Sequence, residues 1–169
     1  RRVLFRSPFL GHISRTPEQT KELMDVWGRD DIGRLDYVTA WYKKASDVLK
    51  EFTAAKFAFV STNSIAQGEP VPSLFGPLFD SGWKIRFAHR TFAWTSEAPG
   101  EANVHCVIIG FDKQGKAPVL FRYSSLKSEP LEDAVEKINA YLVEGPPVLV
   151  EQRRDVLGHL LPAVSMGSM

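Results

Sequence analysis

The 169-residue sequence has one cysteine, no long apolar run and almost no net charge. The single cysteine, Cys106, excludes an internal disulfide, and its place within an apolar segment favours a reducing, intracellular setting. No run reaches the 18 or so apolar residues that span a membrane, and no stretch has the layout of a secretory signal peptide. The net charge of +1 excludes a strongly basic surface overall, although not a local cluster of lysine and arginine.

Motifs for metal and nucleotide binding are also missing. The four histidines, His12, His89, His105 and His159, show no metal-ligand spacing, so we expect no metal site. Neither the Gly-x-Gly-x-x-Gly motif nor the phosphate-loop motif occurs. Cys106 follows His105 within a predicted strand, where adjacent side chains face opposite sides, so the pattern favours a buried structural thiol over a catalytic pair.

The sequence does contain an alternation of predicted helices and strands. A helix is predicted over Thr16–Gly28, with Thr16 as N-cap and glycine at the end. A second begins after Asp36, another N-cap candidate, and keeps apolar residues at helical spacing as far as Phe52. Shorter helices are predicted over Pro72–Asp80, interrupted by a Gly-Pro pair, and over Leu131–Ile138.

Four segments read as strands: "KFAFVS", "WKIRFAHRTF", "NVHCVIIGF" and "APVLFRYS". The first is apolar at consecutive positions, as buried parallel strands are. Alternation in the second places Ile85 and Phe87 on one face. A turn-rich linker joins the second to the third, which predicts an antiparallel hairpin at one edge of an open α/β sheet. Ligands bind such sheets beyond the carboxyl ends of the parallel strands, where the polar stretch "STNSIAQGE" stands.

A second candidate segment is "HRTFAW", at the end of a predicted strand. Its aromatic residues Phe92 and Trp94 either pack beneath the hairpin or form a platform that stacks a nucleic-acid base. Arg90 is equally consistent with a phosphate contact and with a solvated charge. The spacing alone leaves these alternatives open.

Several segments together resemble one family, the MmeI-like bifunctional restriction–modification enzymes, whose methyltransferase part modifies adenine in DNA. The matching segments occur in the family's order and cover nearly the whole chain from Pro8 onward. They are "PFLGH", "DYVTAWYKKA", "FAFVSTNSIAQGE", "IRFAHRTFAW", "VHCVIIGF" and "INAYLVEGPPVLVEQR".

This resemblance implies an α/β fold: the C-terminal half of a Rossmann-like, S-adenosylmethionine-dependent methyltransferase sheet with an antiparallel edge hairpin. It also implies double-stranded DNA as the partner, no membrane, and the cytoplasm of a prokaryote. Residues 8–137 would be a partial methyltransferase domain, and residues 138–169 an extended linker toward a target recognition domain. The family's cofactor motif lies upstream of the matched segments, so no residue here is assigned to the cofactor.

The family's Asn-Pro-Pro-Phe motif survives only as Pro8 and Phe9, because Arg6 and Ser7 stand at its first two positions. Arginine is a donor only and cannot accept from an adenine amino group, so we interpret residues 1–7 as a foreign or corrupted leader. By position, Phe9 and Phe92 would sandwich the flipped adenine.

The segment "TNSIAQGE" corresponds to the loop after the fifth strand of the family's sheet, which would line the pocket where the target base and the methyl donor meet. The residues that the resemblance implies for substrate or DNA binding are Asn63, Ser64, Gln67, His89, Arg90 and Trp94. The chain would be a fragment of a site-specific adenine-N6 methyltransferase, inactive alone. The alternative is a non-catalytic α/β module that binds nucleic acid or protein.

Overall fold

The computed structural model describes residues 9–32, 34–94 and 104–151, and a five-stranded sheet organises them. Its strands, in chain order, are β1 (Lys56–Thr62), β2 (Lys84–Trp94), β3 (Val104–Asp112), β4 (Val119–Tyr123) and β5 (Pro130–Ala134). Their spatial order is β1-β3-β2-β4-β5. β3 runs antiparallel to both of its neighbours, β4 pairs in parallel with β2, and β5 returns antiparallel to β4.

Three helices accompany the sheet: α1 (Pro17–Trp27), α2 (Thr39–Val48) and α3 (Pro70–Asp80). The sequence prediction for α1 is confirmed at both ends. Thr16 and Gln19 form a reciprocal capping box, and Gly28 closes the helix in the left-handed conformation. None of the helices in the described ranges is both long and apolar enough to cross a membrane.

The core lies between the helices and one face of the sheet, which we call the helical face. Tyr42 of α2 is fully buried there, with its hydroxyl 2.8 Å from the Ser61 hydroxyl and its ring against Phe57 and Phe111. The tail after β5 contributes to the same core, with Ile138, Ala140 and Leu142 buried. The boundary at residue 138 between a domain and a linker stays a prediction.

The opposite side, which we call the aromatic face, carries half-buried rings. Two β-bulges in β2 decide which side chains point there. Ile85 pairs with Phe111, but Phe87 pairs with Gly110, so one extra residue of β2 lies between them. The expectation that Ile85 and Phe87 share a face is therefore wrong: Ile85 enters the core and Phe87 lies over Gly110.

The second bulge lies between His89 and Phe92. Residues three apart in a regular strand face opposite sides. The extra residue in the bulge brings both rings to the aromatic face, with centroids 6.5 Å apart.

The predicted hairpin is confirmed as β2 and β3, but its place in the sheet differs from the expectation. β3 inserts between β1 and β2, and β4 and β5 extend the sheet beyond β2, so the hairpin is not at the edge. The connecting turn, residues 95–103, lies outside the described residues. The helix expected over Leu131–Ile138 is wrong, because residues 130–134 pair with β4 instead. Strand pairing overrides the local apolar spacing there.

The two remaining helix predictions need correction at their details. α3 continues through Pro77 rather than breaking, because its apolar face is held in the core and one proline removes only one hydrogen bond. α2 ends at Val48, and Phe52 beyond it is exposed. The chain turns at Leu49, Lys50 and Phe52 through short-range backbone bonds, which ends the helical spacing early.

Candidate functional site

The polar stretch predicted as a ligand edge borders a cleft of about 490 Å³ at the carboxyl end of β1. Three parts of the chain meet there: a short 3₁₀ turn at His12–Ser14, the loop that begins at Asn63, and the start of β3. The lining residues are Gly11, His12, Ile13, Ser14, Asp36, Thr62, Asn63, Ser64, Val104 and His105. Phe9 lies two residues before Gly11 and is half-buried.

Asp36 organises this cleft, a role that the sequence did not reveal. It was expected to cap α2, but the N-cap position is Val38 and no side chain caps the helix. Instead, one oxygen of the buried Asp36 carboxylate accepts hydrogen bonds from the hydroxyls of Thr62 and Ser64. The only sequence signal was an acidic residue before a helix, which also fits a cap.

The charge of Asp36 also reaches Arg15, at the turn before α1. Burial lowers the pKa of Arg15, and the negative charge of Asp36 partly offsets that shift. Arg15 donates through Nη1 to the Leu35 carbonyl, 2.7 Å away. This hydrogen bond ties the segment after Phe9 to the residue just before Asp36.

Hydrogen bonding fixes the polarity of the Ser64 hydroxyl. A serine hydroxyl has one proton to donate and two lone pairs. Because the hydroxyl donates that proton in its hydrogen bond to Asp36, Oγ can only accept further hydrogen bonds. Ser64 is half-buried at the cleft wall, held by the short 3₁₀ turn Asn63–Ala66, in which Ile65 and Ala66 are buried.

The end of the hairpin brings the predicted aromatic residues beside the cleft. Trp94 pairs with Val104, a lining residue, and Phe92 pairs with Cys106, whose other cross-strand partner is Thr62. Directly paired residues point to the same face. Phe92 and Trp94 therefore share a face with Thr62, and their ring centroids lie 6.4 Å apart.

The remaining predicted site residues that the structure describes lie outside the lining of the cleft. His89 belongs to the same aromatic face, where its Nδ1 lies 2.8 Å from the Tyr123 hydroxyl and its ring stacks on Phe121. Arg90 is exposed within the bulge, and Gln67 is exposed just after the 3₁₀ turn, outside the cleft lining. Pro8 and residues 1–7, which were predicted to be a leader, lie outside the described residues.

Among the described residues, the other chemically reactive groups do not form a site. Cys106 is buried on the aromatic face, and burial raises the pKa of its thiol to about 11. Within the described ranges, no three histidine, cysteine, aspartate or glutamate side chains are grouped to hold a metal ion. A cavity of about 410 Å³ lies at the other end of the sheet, near Trp83 and Asp112, and contains none of the predicted site residues.

Comparisons with known proteins agree with this geometry. Residues 3–122 match the family model described as "MmeI, DNA-methyltransferase domain". DNA methyltransferase A of Bacillus subtilis (strain 168) is 34% identical over 169 residues, which cover 99% of this chain and 18% of that protein.

A solved structure of the type IIL restriction-modification enzyme MmeI in complex with DNA is also similar. It is 43% identical with a TM-score of 0.86, over 90% of this chain and 21% of that one. The chain thus spans about a fifth of the length of each relative. The match exceeds half of the chain and includes the β1 loop and the hairpin that form the cleft. The chain therefore belongs to the family of MmeI DNA-methyltransferase domains.

Proposed function

We propose that this chain is part of an enzyme that transfers the methyl group of S-adenosylmethionine to N6 of an adenine flipped out of double-stranded DNA. The observation that carries the proposal is the convergence at one cleft of the segment after Phe9, the Asn63–Ser64 loop and the start of β3, with the aromatic end of β2 beside it. An enzyme acting on a base must take it out of the stack and hold it in a pocket. The enzyme would work in the prokaryotic cytoplasm, as part of a restriction–modification protein.

The cleft and the aromatic rings beside it offer the two kinds of contact that a flipped adenine needs. Ser64 presents an oriented acceptor, which suits the exocyclic amine, and the Asn63 amide provides both a donor and an acceptor. Phe92 supplies a ring face for stacking, with Trp94 next to it. Holding the amine in line with the methyl donor would supply much of the catalysis, because correct orientation removes a large part of the activation barrier.

S-adenosylmethionine would supply the methyl group, but the described residues fit the base better than this cofactor. β1 is the one described strand that leads into a helix, and only one glycine, Gly68, lies between them. A glycine-rich turn of the kind that holds such cofactors is therefore absent from the described ranges. We assign no residue to the cofactor, and the 169-residue chain alone should transfer no methyl group.

The test uses the complete gene product that contains this sequence. The purified protein is incubated with double-stranded DNA and S-adenosylmethionine carrying a radiolabelled methyl group. The DNA is then digested to nucleosides to identify the methylated base. We expect label in N6-methyladenine, and single-molecule sequencing of DNA from expressing cells then gives the recognition sequence.

Two variants locate the site. Base–aromatic stacking is worth about 1–3 kcal/mol, so Phe92→Ala should lower kcat/KM by roughly 5- to 150-fold. Phe52→Ala is the matched control, because Phe52 is an exposed ring after α2, at the opposite end of the sheet. Equal activity in both variants would remove the stacking role. DNA binding without any methyl transfer would favour the non-catalytic module instead.

A further inference from the structure

Tyr123, at the end of β4, stacks on the ring of Phe92, the residue that we assign to base stacking. The Tyr123 and Phe92 ring centroids lie 5.3 Å apart with an interplanar angle of 28°, an offset stack. Both residues are half-buried on the aromatic face. One face of the Phe92 ring is therefore covered by Tyr123, so a stacked base would have to lie on the opposite face.

Backbone pairing with Cys106 sets the face on which Phe92 lies, but it does not set the side-chain rotamer of the ring. The parallel ladder between β2 and β4 ends at His89, and backbone contact resumes only where the Ala93 amide donates to the Leu126 carbonyl. The bulge lies in this interval and also interrupts the ladder to β3. Side-chain packing therefore orients the Phe92 ring on that face, and Tyr123 is the ring stacked on it.

Tyr123 is itself held in place by a second pair of rings. Its hydroxyl lies 2.8 Å from His89 Nδ1, and His89 stacks on Phe121 at a centroid distance of 4.1 Å and an angle of 5°. Burial lowers the pKa of His89, so the imidazole is neutral near pH 7 and one hydrogen bond joins it to the hydroxyl. Phe121, His89 and Tyr123 thus form one packed group of rings behind Phe92.

We propose that Tyr123 is a positioning residue for base capture, which fixes the Phe92 ring through ring contact without itself touching the substrate. The inference rests on the proposed function, since it needs Phe92 to stack on the target base. Losing the backing ring should lower the fraction of complexes in which the base is correctly stacked. That loss affects the catalytic step, while affinity for duplex DNA, which depends largely on phosphate contacts, should stay the same.

The experiment is a double-mutant cycle in the complete gene product, with Tyr123→Ala, Phe92→Ala and the double variant. An aromatic pair is worth about 0.5–1.5 kcal/mol beyond burial, so Tyr123→Ala should lower kcat by roughly 2- to 12-fold with KM for DNA unchanged. In the Phe92→Ala background, Tyr123→Ala should cause no further loss. Tyr123→Phe keeps the ring and should restore most of the activity.

A second readout follows the base directly. Duplex DNA with 2-aminopurine at the target position reports stacking through its fluorescence, and Tyr123→Ala should change that signal in the direction of Phe92→Ala. Phe52→Ala is the control here too, because it removes an exposed ring that lies outside this group of stacked side chains. If Tyr123→Ala does not fold cooperatively, Tyr123→Leu replaces it in the cycle.

Three results would overturn the inference. The first is a kcat for Tyr123→Ala that is no lower than that for Phe52→Ala. The second is a loss of kcat by the same factor with and without Phe92. The third is a 2-aminopurine signal that stays as in the wild type. Each of these leaves the proposed function intact if the wild type methylates and Phe92→Ala is impaired. A wild type that transfers no methyl group overturns the proposed function and this inference together.

Discussion

Replacing Asp36 tests whether one carboxylate holds the cleft together. Hydrogen bonds to charged groups contribute about 1.5–3 kcal/mol each, and Asp36 accepts two from Thr62 and Ser64. Burying the carboxylate offsets part of that gain, so Asp36→Ala should cost roughly 3 kcal/mol of unfolding free energy. For a chain of this size, that corresponds to a drop in Tm of about 6–12 °C.

The assay is thermal and urea unfolding at pH 7, followed by circular dichroism. Asp36→Asn keeps the shape but loses the charge, so its loss should be smaller. Asp133→Ala is the matched control, since it removes an aspartate from the exposed ion pair with Arg122 and should change Tm little. In a Thr62→Val/Ser64→Ala background, Asp36→Ala should cost much less. An Asp36→Ala variant no less stable than Asp133→Ala would refute the reasoning.

Three further predictions concern the sheet. A Cβ on Gly110 would lie 2.1 Å from the Phe87 ring, so Gly110→Ala should cost about 1–3 kcal/mol in urea unfolding, whereas Gly76→Ala, 3.6 Å from its nearest neighbour, should not. Burial lowers the pKa of His89, so its contribution to folding stability is complete above pH 6.5 and is lost as the pH falls through the lowered pKa. His89→Gln should therefore make Tm depend less on pH between about pH 5 and 7. Cys106 is buried with a raised pKa, so a thiol reagent should label it only after unfolding, and rapid labelling of the folded protein would contradict this.

Local signals in the sequence predicted the elements whose structure depends on neighbouring residues. The capping box and closing glycine of α1 act within a few residues, so Thr16 and Gly28 were sufficient to place that helix. The turn-rich linker likewise predicted the β2–β3 hairpin, which the structure confirms. The polar run after β1 indicated the position of the cleft for the same reason, because the end of a strand is visible as a change in composition.

Features that depend on distant pairing were not accessible in this way. The insertion of β3 between β1 and β2 is decided by contacts between strands, and nothing within "VHCVIIGF" specifies its neighbours. Each bulge in β2 adds one residue and so reverses the facing of every later side chain. The alternation rule therefore assigned Phe87 to the wrong face, and no glycine or proline in that strand marked the bulge.

The same limit explains why the sequence suggested candidate ligand contacts but not the residues that hold them in place. Ser64 and Phe92 belong to conspicuous segments, but Asp36 is 28 positions from Ser64, and Tyr123 belongs to a strand two elements beyond that of Phe92. Each of these two residues acts on one atom or ring. The Asp36 carboxylate accepts the hydrogen bond of the Ser64 hydroxyl, and the Tyr123 ring covers one face of Phe92. A relative could therefore retain "TNSIAQGE" and "HRTFAW" unchanged and still lose base capture, if the residues at positions 36 and 123 no longer provided a carboxylate and a ring.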